Sequence, residues 1–254
     1  MNVPKAFISI FLLLLSWNPL SQFRGLGTDN SKKSSSSANL WCESWKLSVE
    51  VHNLREWRSV PPKCVDYVGR YMKSGQYDKD LQLAVREARS YAHGLNIVGD
   101  GKDAWIFDID ETTLSNLGYY EQIDFGGSPY NRTKYFEWVM EEKATAIQAT
   151  LSFYNDLRAM GFSIFFITGR RHMYRNVTAG NLLRAGYKHW SGLLMREPDD
   201  KPSNVQSLKI AKRTKLEEDG YKIWGNMGDQ WSDITGEPSG LRTFKVPNPM
   251  YYVG

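Results

Sequence analysis

Two aspartates at alternate positions, Asp108 and Asp110, are the first residues whose types and spacing could do chemistry. They directly follow residues 104–107 (AWIF), a short apolar run of the kind that forms a buried parallel strand. One such carboxylate can act as a nucleophile, as in aspartyl-phosphate chemistry, and the other can give and take protons. The pattern D-x-D-x-T by itself fits a hydrated acidic turn equally well, but its place after a strand favours a chemical role.

A hydroxyl group and a lysine are the next candidates. Thr168-Gly169-Arg170 follows a second apolar run, residues 162–167 (FSIFFI). At a strand-to-helix turn, a threonine hydroxyl and free backbone N–H groups can bind a phosphoryl oxygen, although the same threonine could simply cap a helix. Further along, a predicted helix carries four basic residues: Lys209, Lys212, Arg213 and Lys215. We expect one of them to reach the site and neutralise a phosphoryl group, and the other three to be solvated surface.

A second acidic pair, Asp229 and Asp233, follows residues 222–227 (KIWGNM). If these carboxylates meet Asp108 and Asp110, their mutual repulsion raises their pKa values, and a divalent cation would relieve it. A site made only of oxygen ligands fits Mg²⁺ better than zinc. The alternative for Asp233 is that it merely caps a helix.

The elements that must position these residues alternate between strands and helices. The predicted strands are 104–107, 162–167, 191–195, 222–227 and 243–246, and the predicted helices are 64–72, 77–96, 147–160, 174–185 and 205–218. This alternation predicts an α/β fold, a Rossmann-like parallel sheet flanked by helices with right-handed crossovers. Ligands bind beyond the carboxyl ends of such strands, which is where Asp108, Thr168 and Asp229 lie.

Composition and charge place the chain among ordinary globular proteins. It has 254 residues, of which 41% are hydrophobic and 24% charged, which excludes a mainly disordered or collagen-like protein. The formal net charge is +4. Because residues 1–39 carry four basic residues and one acid, the rest of the chain is close to neutral. A near-neutral body gives no electrostatic reason to expect a nucleic acid as partner.

The first 22 residues are predicted to be a secretory signal peptide. Lys5 precedes the apolar run 6–15, and small and polar residues follow. The alternatives are a transmembrane anchor or a buried helix, but a span needs about 20 apolar residues. Residues 23–39 are Ser-rich and are predicted to be a flexible leader. We therefore expect an extracellular or vacuolar protein without membrane attachment once the signal is removed. Residues 40–98 are predicted to form a helical N-terminal segment.

Secretion also changes how two other features are interpreted. Cys42 and Cys64 are the only cysteines, and in an oxidising compartment they would form a disulfide, whereas in a reducing one they would be two buried thiols. Asn131-Arg132-Thr133 and Asn176-Val177-Thr178 are sequons, so Asn131 and Asn176 are candidate glycosylation sites.

The order of these motifs resembles a known family. D-x-D-x-T, then T-G-R, then a lysine, then G-D-x-x-x-D is the order of the haloacid dehalogenase-like hydrolases. A closer resemblance, to the plant acid phosphatases of the vegetative storage protein group, covers nearly the whole chain after the leader. It is carried by residues 41–45 (WCESW), 99–103 (GDGKD), 105–112 (WIFDIDET), 228–233 (GDQWSD) and 246–252 (VPNPMYY).

The resemblance implies a role for each matched residue. Asp108 would be the nucleophile that forms a phospho-aspartate, and Asp110 the general acid and base. Thr168 with Gly169, and Lys209, would bind the phosphoryl group. Mg²⁺ would be held by the Asp108 side chain, the Asp110 backbone carbonyl and the Asp229 side chain, with Asp233 supporting or ligating the ion. The haloacid dehalogenase-like core would be residues 99–254, with a small cap insert at about 114–143.

The function that the resemblance implies is a secreted or vacuolar, Mg²⁺-dependent acid phosphatase, a phosphoric monoester hydrolase acting on small phosphate monoesters. One alternative is a vegetative storage glycoprotein with weak or vestigial activity, and Asp108 argues against it because some storage members lack the nucleophile. Another is phosphotransfer or phosphomutase chemistry on the same fold. The scant cap material predicts an open site with loose selectivity, and the oligomeric state stays open between a monomer and a homodimer.

The chain departs from the family pattern after T-G-R. Arg171 and His172 stand where an acidic residue is usual, and Leu208 and Ile210 replace polar neighbours of the lysine. These departures bear on subgroup and substrate preference rather than on the chemistry. We expect His172 to be a surface residue.

Overall fold

The computed structural model describes residues 30–200 and 204–254, with side chains from residue 39 onward. The predicted signal peptide, residues 1–22, and the start of the predicted leader lie outside the described residues. Within the described part of the chain, no helix is both long and apolar enough to cross a membrane.

A five-stranded parallel sheet lies at the centre of the fold, in the strand order β5-β4-β1-β6-β7. A short antiparallel pair, β2 and β3, stands apart from it. The strands are β1 Asp103–Phe107, β2 Leu114–Ser115, β3 Thr145–Ala146, β4 Ser163–Arg171, β5 Gly192–Arg196, β6 Lys222–Gly228 and β7 Arg242–Lys245. The predicted α/β fold is confirmed, because every predicted strand belongs to this sheet.

Helices cover both faces of the sheet. They are α1 Asn30–Glu50, α2 Val65–Lys73, α3 Gln76–His93, α4 Leu117–Tyr120, α5 Arg132–Glu141, α6 Gln148–Met160, α7 Arg175–Arg184, α8 Val205–Glu218 and α9 Trp231–Ile234. The predicted helices 77–96, 147–160 and 205–218 agree with α3, α6 and α8 to within a few residues. Gly161, at φ +97°, ends α6 because glycine adopts the left-handed conformation of a helix C-terminus without strain.

The beginning of α1 differs from the prediction. Residues 30–39 were expected to be flexible leader, but the helix begins at Asn30. Its C-terminal half is anchored by buried Cys42, Trp45 and Val49. Extending a helix that already exists adds one hydrogen bond per residue without a new nucleation cost. A polar serine run can therefore continue a helix that it could not start.

The predicted disulfide is confirmed. Cys42 of α1 is bonded to Cys64, with a Cα–Cα distance of 5.4 Å. The bond joins α1 to the start of α2 across 22 residues of sequence, and so restricts the unfolded chain and fixes where α1 packs.

The main core lies on one face of the sheet, around Trp105 of β1. Its indole ring packs edge-on to Phe153 of α6 and stacks on Phe244 of β7. Gly225 on the neighbouring strand β6 leaves room for it, since a Cβ there would overlap the indole. All five residues of β1 are buried, which explains why residues 104–107 form a continuous apolar run rather than an alternating one.

A small insert separates β1 from α6. Leu114 pairs with Ala146 and Ser115 with Thr145, so β2 and β3 close its base. Between them lie α4, a 3₁₀ segment at Glu121–Gly126 and α5. These short elements supply one wall above the carboxyl edge of the sheet.

Candidate active site

Asp108 lies at the end of β1, at the centre of the carboxyl edge of the sheet. Its backbone N–H donates to the carbonyl of Met227 on β6 at 2.9 Å, and its carbonyl accepts from the Thr113 hydroxyl. Its side chain is buried, and Oδ1 accepts a hydrogen bond from Lys209 Nζ. Burial raises the pKa of Asp108 well above its usual range, the Lys209 ammonium opposes the rise, and the neighbouring aspartates add to it.

Lys209 reaches this point from α8. The side chain of Asn204 caps the helix by accepting from the Ser207 N–H at 2.8 Å. Lys209 Nζ contacts Asp108 and lies 2.5 Å from Asp233 Oδ1. Burial by itself would lower the pKa of Lys209, but the two carboxylates hold it above its usual range. The ammonium group therefore stays charged.

The other three basic residues of α8 differ from one another. Lys212 pairs with Asp200 at 2.9 Å, and Lys215 is exposed and pairs with Asp219. Arg213, which we expected on the solvated surface, is fully buried. Its guanidinium donates to the carbonyls of Asp233, Thr235, Gly236 and Pro238. Burial is tolerated because carbonyl acceptors surround this rigid set of donors.

Three buried carboxylates converge beside Lys209. Asp108, Asp229 and Asp233 each offer an oxygen, and these atoms lie within 4.8 Å of one another. Burial and the charge of Asp233 raise the pKa of Asp229 to about 6. Such concentrated negative charge on buried groups fits a bound divalent cation, and a donor set of carboxylate oxygens fits Mg²⁺ rather than zinc. The Asp110 side chain is not one of the three, and ligation by its backbone carbonyl stays a prediction.

The turn after β6 holds both downstream aspartates. Asp229 Oδ2 accepts from Gln230 Nε2 and from Asn248 Nδ2, both at 2.7 Å. Asp233 Oδ2 accepts from the Gln230 N–H at 2.8 Å in a capping box at the start of α9. Asp233 therefore fills both roles considered for it, as a helix cap and as a member of the acidic cluster. Gly228 is required here, since a Cβ would overlap the Asp233 side chain.

The Asp110 carboxylate is not part of this cluster and is held by three side chains. Arg170 donates to it twice, from Nη2 to Oδ1 at 2.6 Å and from Nε to Oδ2 at 3.1 Å. Tyr135 and Asn116 donate to Oδ1 at 2.7 and 2.8 Å. Burial would raise the pKa of Asp110, but the Arg170 charge and these hydrogen bonds hold it below its usual range. Glu111, the next residue, has a left-handed backbone with φ +58° that turns the chain back towards the insert.

Thr168 and Gly169 lie at the same edge, but within β4 rather than after it. Thr168 is buried, and its hydroxyl accepts from the Arg170 N–H at 3.1 Å. The pairing of β4 with β5 shifts register between Ile167 and Arg171, so the strand is irregular where Thr168 and Gly169 lie.

A cavity of about 580 Å³ opens above these residues. Its floor contains Asp108, Asp110, Lys209, Asp229 and Asp233. Much of its wall is aromatic and comes from the insert, the loop before α2 and the C-terminal tail: Trp57, Tyr120, Tyr130, Tyr135, Phe136, Tyr251 and Tyr252. The insert and the N-terminal segment were predicted as cap material, but the C-terminal contribution was not.

The residues that hold Asp110 and Asp229 in place were not predicted from the sequence. Asn116, Tyr135 and Arg170 secure Asp110, while Gln230 and Asn248 secure Asp229. Only Arg170 had a local signal, because it adjoins Thr168 and Gly169 in the T-G-R motif.

Three predicted surface residues lie away from the cavity lining. His172 is partly exposed, with Nδ1 2.6 Å from Glu197 Oε2. Asn131 is exposed and caps α5 by accepting from the Lys134 N–H, and Asn176 is exposed at the start of α7. Glycosylation at either asparagine stays a prediction.

The strand order and the buried acidic cluster at the carboxyl edge define a haloacid dehalogenase-like protein. The family model of the HAD superfamily, subfamily IIIB (acid phosphatase), matches residues 28–254, so the chain belongs to that family. Acid phosphatase 1 of Solanum lycopersicum is 39% identical over 214 residues, which cover 84% of each chain.

Two further curated relatives have similar coverage. The stem 28 kDa glycoprotein of Glycine max is 42% identical over 84% of each chain. Vegetative storage protein 2 of Arabidopsis thaliana is 36% identical over 84% of this chain and 80% of its own. Among solved structures, the class C acid phosphatase of Bacillus anthracis shares the fold, with a TM-score of 0.60 and 22% identity over 73% of this chain and 83% of that one.

Proposed function

We propose that this protein is a secreted or vacuolar, Mg²⁺-dependent acid phosphatase that hydrolyses small phosphate monoesters through a phospho-aspartate at Asp108. The observation that carries the proposal is the meeting of Asp108, Asp229, Asp233 and Lys209 beneath a cavity of substrate size. The family and the relative named acid phosphatase support the reaction class.

The reaction divides into two displacements at phosphorus. In the first, an Asp108 carboxylate oxygen forms a bond to phosphorus while the bond from phosphorus to the ester oxygen breaks, and Asp110 gives a proton to the departing oxygen. In the second, water attacks the phospho-aspartate, the acyl-phosphate bond breaks, and Asp110 takes a proton from the water. Free phosphate leaves and Asp108 is restored.

The resting structure suits Asp110 to the second step, because Arg170 stabilises its ionised form. Asp110 can first take up the proton that it gives in the first step from the substrate, since a phosphate monoester carries a second proton below a pH of about 6. This fits a preference for acid conditions. Lys209 supplies a fixed positive charge beside the nucleophile. Gly169 lines the cavity, and the buried Thr168 that precedes it would bind the phosphoryl group from the same strand.

The residues that would hold Mg²⁺ are Asp108, Asp229 and Asp233. A bound ion would supply positive charge opposite the phosphoryl oxygens, as in other phosphoryl-transfer sites. The burial of all three carboxylates is the reason to expect such an ion, because one lysine does not balance three charges.

The aromatic wall supports a preference for leaving groups with a flat apolar surface. An aryl group entering the cavity would contact rings such as Trp57 and Tyr252 rather than water. Stacking of this kind is worth about 0.5–1.5 kcal/mol per ring pair beyond area burial. Small alkyl esters would bind through the phosphoryl group alone.

A storage role is the second candidate. The relatives named stem glycoprotein and vegetative storage protein favour it. Against it, Asp108 is present together with Lys209, Asp229 and Asp233, which supports catalysis. A secretory location rests on the N-terminal sequence, the disulfide and the names of these relatives.

The experiment is hydrolysis of 4-nitrophenyl phosphate by the full chain lacking only the predicted signal, with chelator and after Mg²⁺ is restored. We expect chelation to stop turnover and Mg²⁺ to recover it. Activity indifferent to chelator would contradict the metal assignment. Negligible turnover by folded, Mg²⁺-loaded protein would favour the storage role.

A further inference from the structure

The C-terminal tail, residues 246–253, crosses the carboxyl edge of the sheet and reaches the acidic cluster. Asn248 Nδ2 donates to Asp229 Oδ2 at 2.7 Å, and both residues are buried. Asn248 Oδ1 accepts from the Met250 N–H at 2.9 Å. Because the oxygen end is used by that backbone group, the nitrogen end must face Asp229. The tail therefore presents a donor of fixed orientation to one oxygen of this carboxylate.

The backbone of Asn248 is held in turn by Glu50, the last residue of α1. Glu50 Oε1 accepts from the Asn248 N–H at 2.9 Å, and Oε2 accepts from Lys245 Nζ at 2.7 Å. The Glu50 carbonyl accepts from Trp231 Nε1 at 3.2 Å, on the helix that carries Asp233. The Glu50 side chain is only 16% exposed, so water competes weakly for these bonds.

The helix that carries Glu50, α1, is itself anchored at a point N-terminal to Glu50. Cys42 ties α1 to the start of α2, and Trp45 and Val49 are buried between the anchor and Glu50. A continuous set of covalent, packing and hydrogen-bond contacts therefore runs from the disulfide to Asp229. Glu50 and Asn248 lie 198 residues apart in the sequence.

We propose that Asn248 and Glu50 are positioning residues for the metal site: Asn248 orients the Asp229 carboxylate, and Glu50 holds Asn248 in place. This inference rests on the proposed function, since it takes Asp229 as a ligand. Two amide donors, from Asn248 and Gln230, converge on Asp229 Oδ2. Oδ1 has one hydroxyl donor, Thr112, at 3.2 Å and remains the freer oxygen. Such outer partners fix the geometry of a ligand and are worth roughly 10–100-fold in metal affinity.

The test is Mg²⁺ binding to chelator-treated full-length mature protein, measured by isothermal titration calorimetry without substrate. Asn248→Leu should raise the Kd for Mg²⁺ by about 10–100-fold. Glu50→Leu should raise it by a smaller factor, and Glu50→Gln, which keeps an acceptor for the Asn248 N–H, should stay close to wild type. Trp231→Phe is the matched control, because it removes the hydrogen bond to the Glu50 backbone carbonyl and leaves the bonds from Asn248 and Lys245 to the Glu50 carboxylate in place.

A purely structural role for the tail would give a different pattern. Thermal stability would fall in the leucine variants while their Kd for Mg²⁺ stayed within about twofold of wild type, and that result would overturn the inference. If Asn248 is a positioning residue, the activity lost in Asn248→Leu should return as the Mg²⁺ concentration is raised. Its kcat should then be near wild type at saturating Mg²⁺. If Asn248→Leu does not fold, the Kd for Mg²⁺ of Glu50→Leu is compared with that of Glu50→Gln. A higher Kd in Glu50→Leu supports the inference, and equal values overturn it.

The outcomes also separate this inference from the proposed function. If the wild-type protein binds Mg²⁺ and turns over substrate, but the folded variants have an unchanged Kd for Mg²⁺, only the positioning role is overturned. Wild-type protein that binds no divalent cation overturns both the metal assignment and the positioning role.

Discussion

Arg170 forms a two-point ion pair with Asp110: its Nη2 and Nε atoms lie 2.6 and 3.1 Å from the two carboxylate oxygens. The guanidinium is buried, and Nη1 donates to the Thr178 hydroxyl at 3.3 Å. The planar fork matches the carboxylate, so the pair fixes both the charge and the direction of the acid and base group.

Replacing Arg170 with methionine should lower kcat for 4-nitrophenyl phosphate by about 10²–10⁴-fold, the usual contribution of general acid–base catalysis. Arg170→Lys should recover only part of the loss, because a lysine keeps the charge but not the two-point geometry. Arg171→Met is the matched control, since Arg171 is exposed and does not line the cavity. Near-wild-type kcat in a folded Arg170→Met protein would contradict the role of the pair. Steady-state kinetics and a circular dichroism spectrum give both readouts.

The aromatic wall predicts a difference between leaving groups. Tyr130→Ala and Tyr252→Ala should lower kcat/KM for an aryl phosphate by roughly 2–10-fold each, from the lost ring contacts. The same variants should change kcat/KM for glycerol phosphate little. Met173→Ala is a control on an exposed side chain outside the cavity lining. Equal losses on both substrates would mean that the rings stabilise the site rather than select the leaving group.

Asp103 gives a pH-dependent prediction far from the acidic cluster. Burial would raise its pKa, but hydrogen bonds from Trp224, Gly99 and Val98, with the charge of Lys222, outweigh burial and hold the pKa below its usual range. A depressed pKa means that ionised Asp103 stabilises the fold above its unfolded pKa of about 3.9. That stability is lost as the pH falls through the lower folded pKa.

Asp103→Asn should therefore be less stable than wild type at pH 7, and the difference should shrink as the pH falls below about 4. Urea unfolding at a series of pH values measures it. Asp100→Asn, at a nearby exposed position, is the control. A difference between wild type and Asp103→Asn that is the same at pH 7 and pH 3 would show that the charge of Asp103 is not the source of the stability.

Much of the fold could be predicted because local patterns and tertiary structure agree. The run 104–107 is apolar throughout, and the run 162–167 is apolar apart from Ser163, because helices cover both faces of the sheet. Asp108 and Asp229 each follow a predicted strand. Because ligands bind at the carboxyl ends of parallel strands, their proximity could be predicted from the strand positions alone.

What could not be predicted depends on contacts between distant parts of the chain. The burial of Arg213 depends on backbone carbonyls in α9 and just after it, and every residue type has a backbone carbonyl, so the sequence could not single these out. The contacts of Asn248 depend on where the tail crosses the sheet. The Ser-rich start of α1 follows from packing further along the helix.

Trapping the covalent intermediate tests the nucleophile most directly. Protein mixed with excess 4-nitrophenyl phosphate and Mg²⁺ is quenched in acid, digested, and examined by mass spectrometry for a phosphoryl group on the peptide that contains Asp108. We predict the label on Asp108, its absence in Asp108→Asn, and loss of turnover in that variant by at least about 10³-fold. A phosphoryl group on any other residue, or sustained turnover by folded Asp108→Asn, would contradict the assignment of Asp108 as nucleophile.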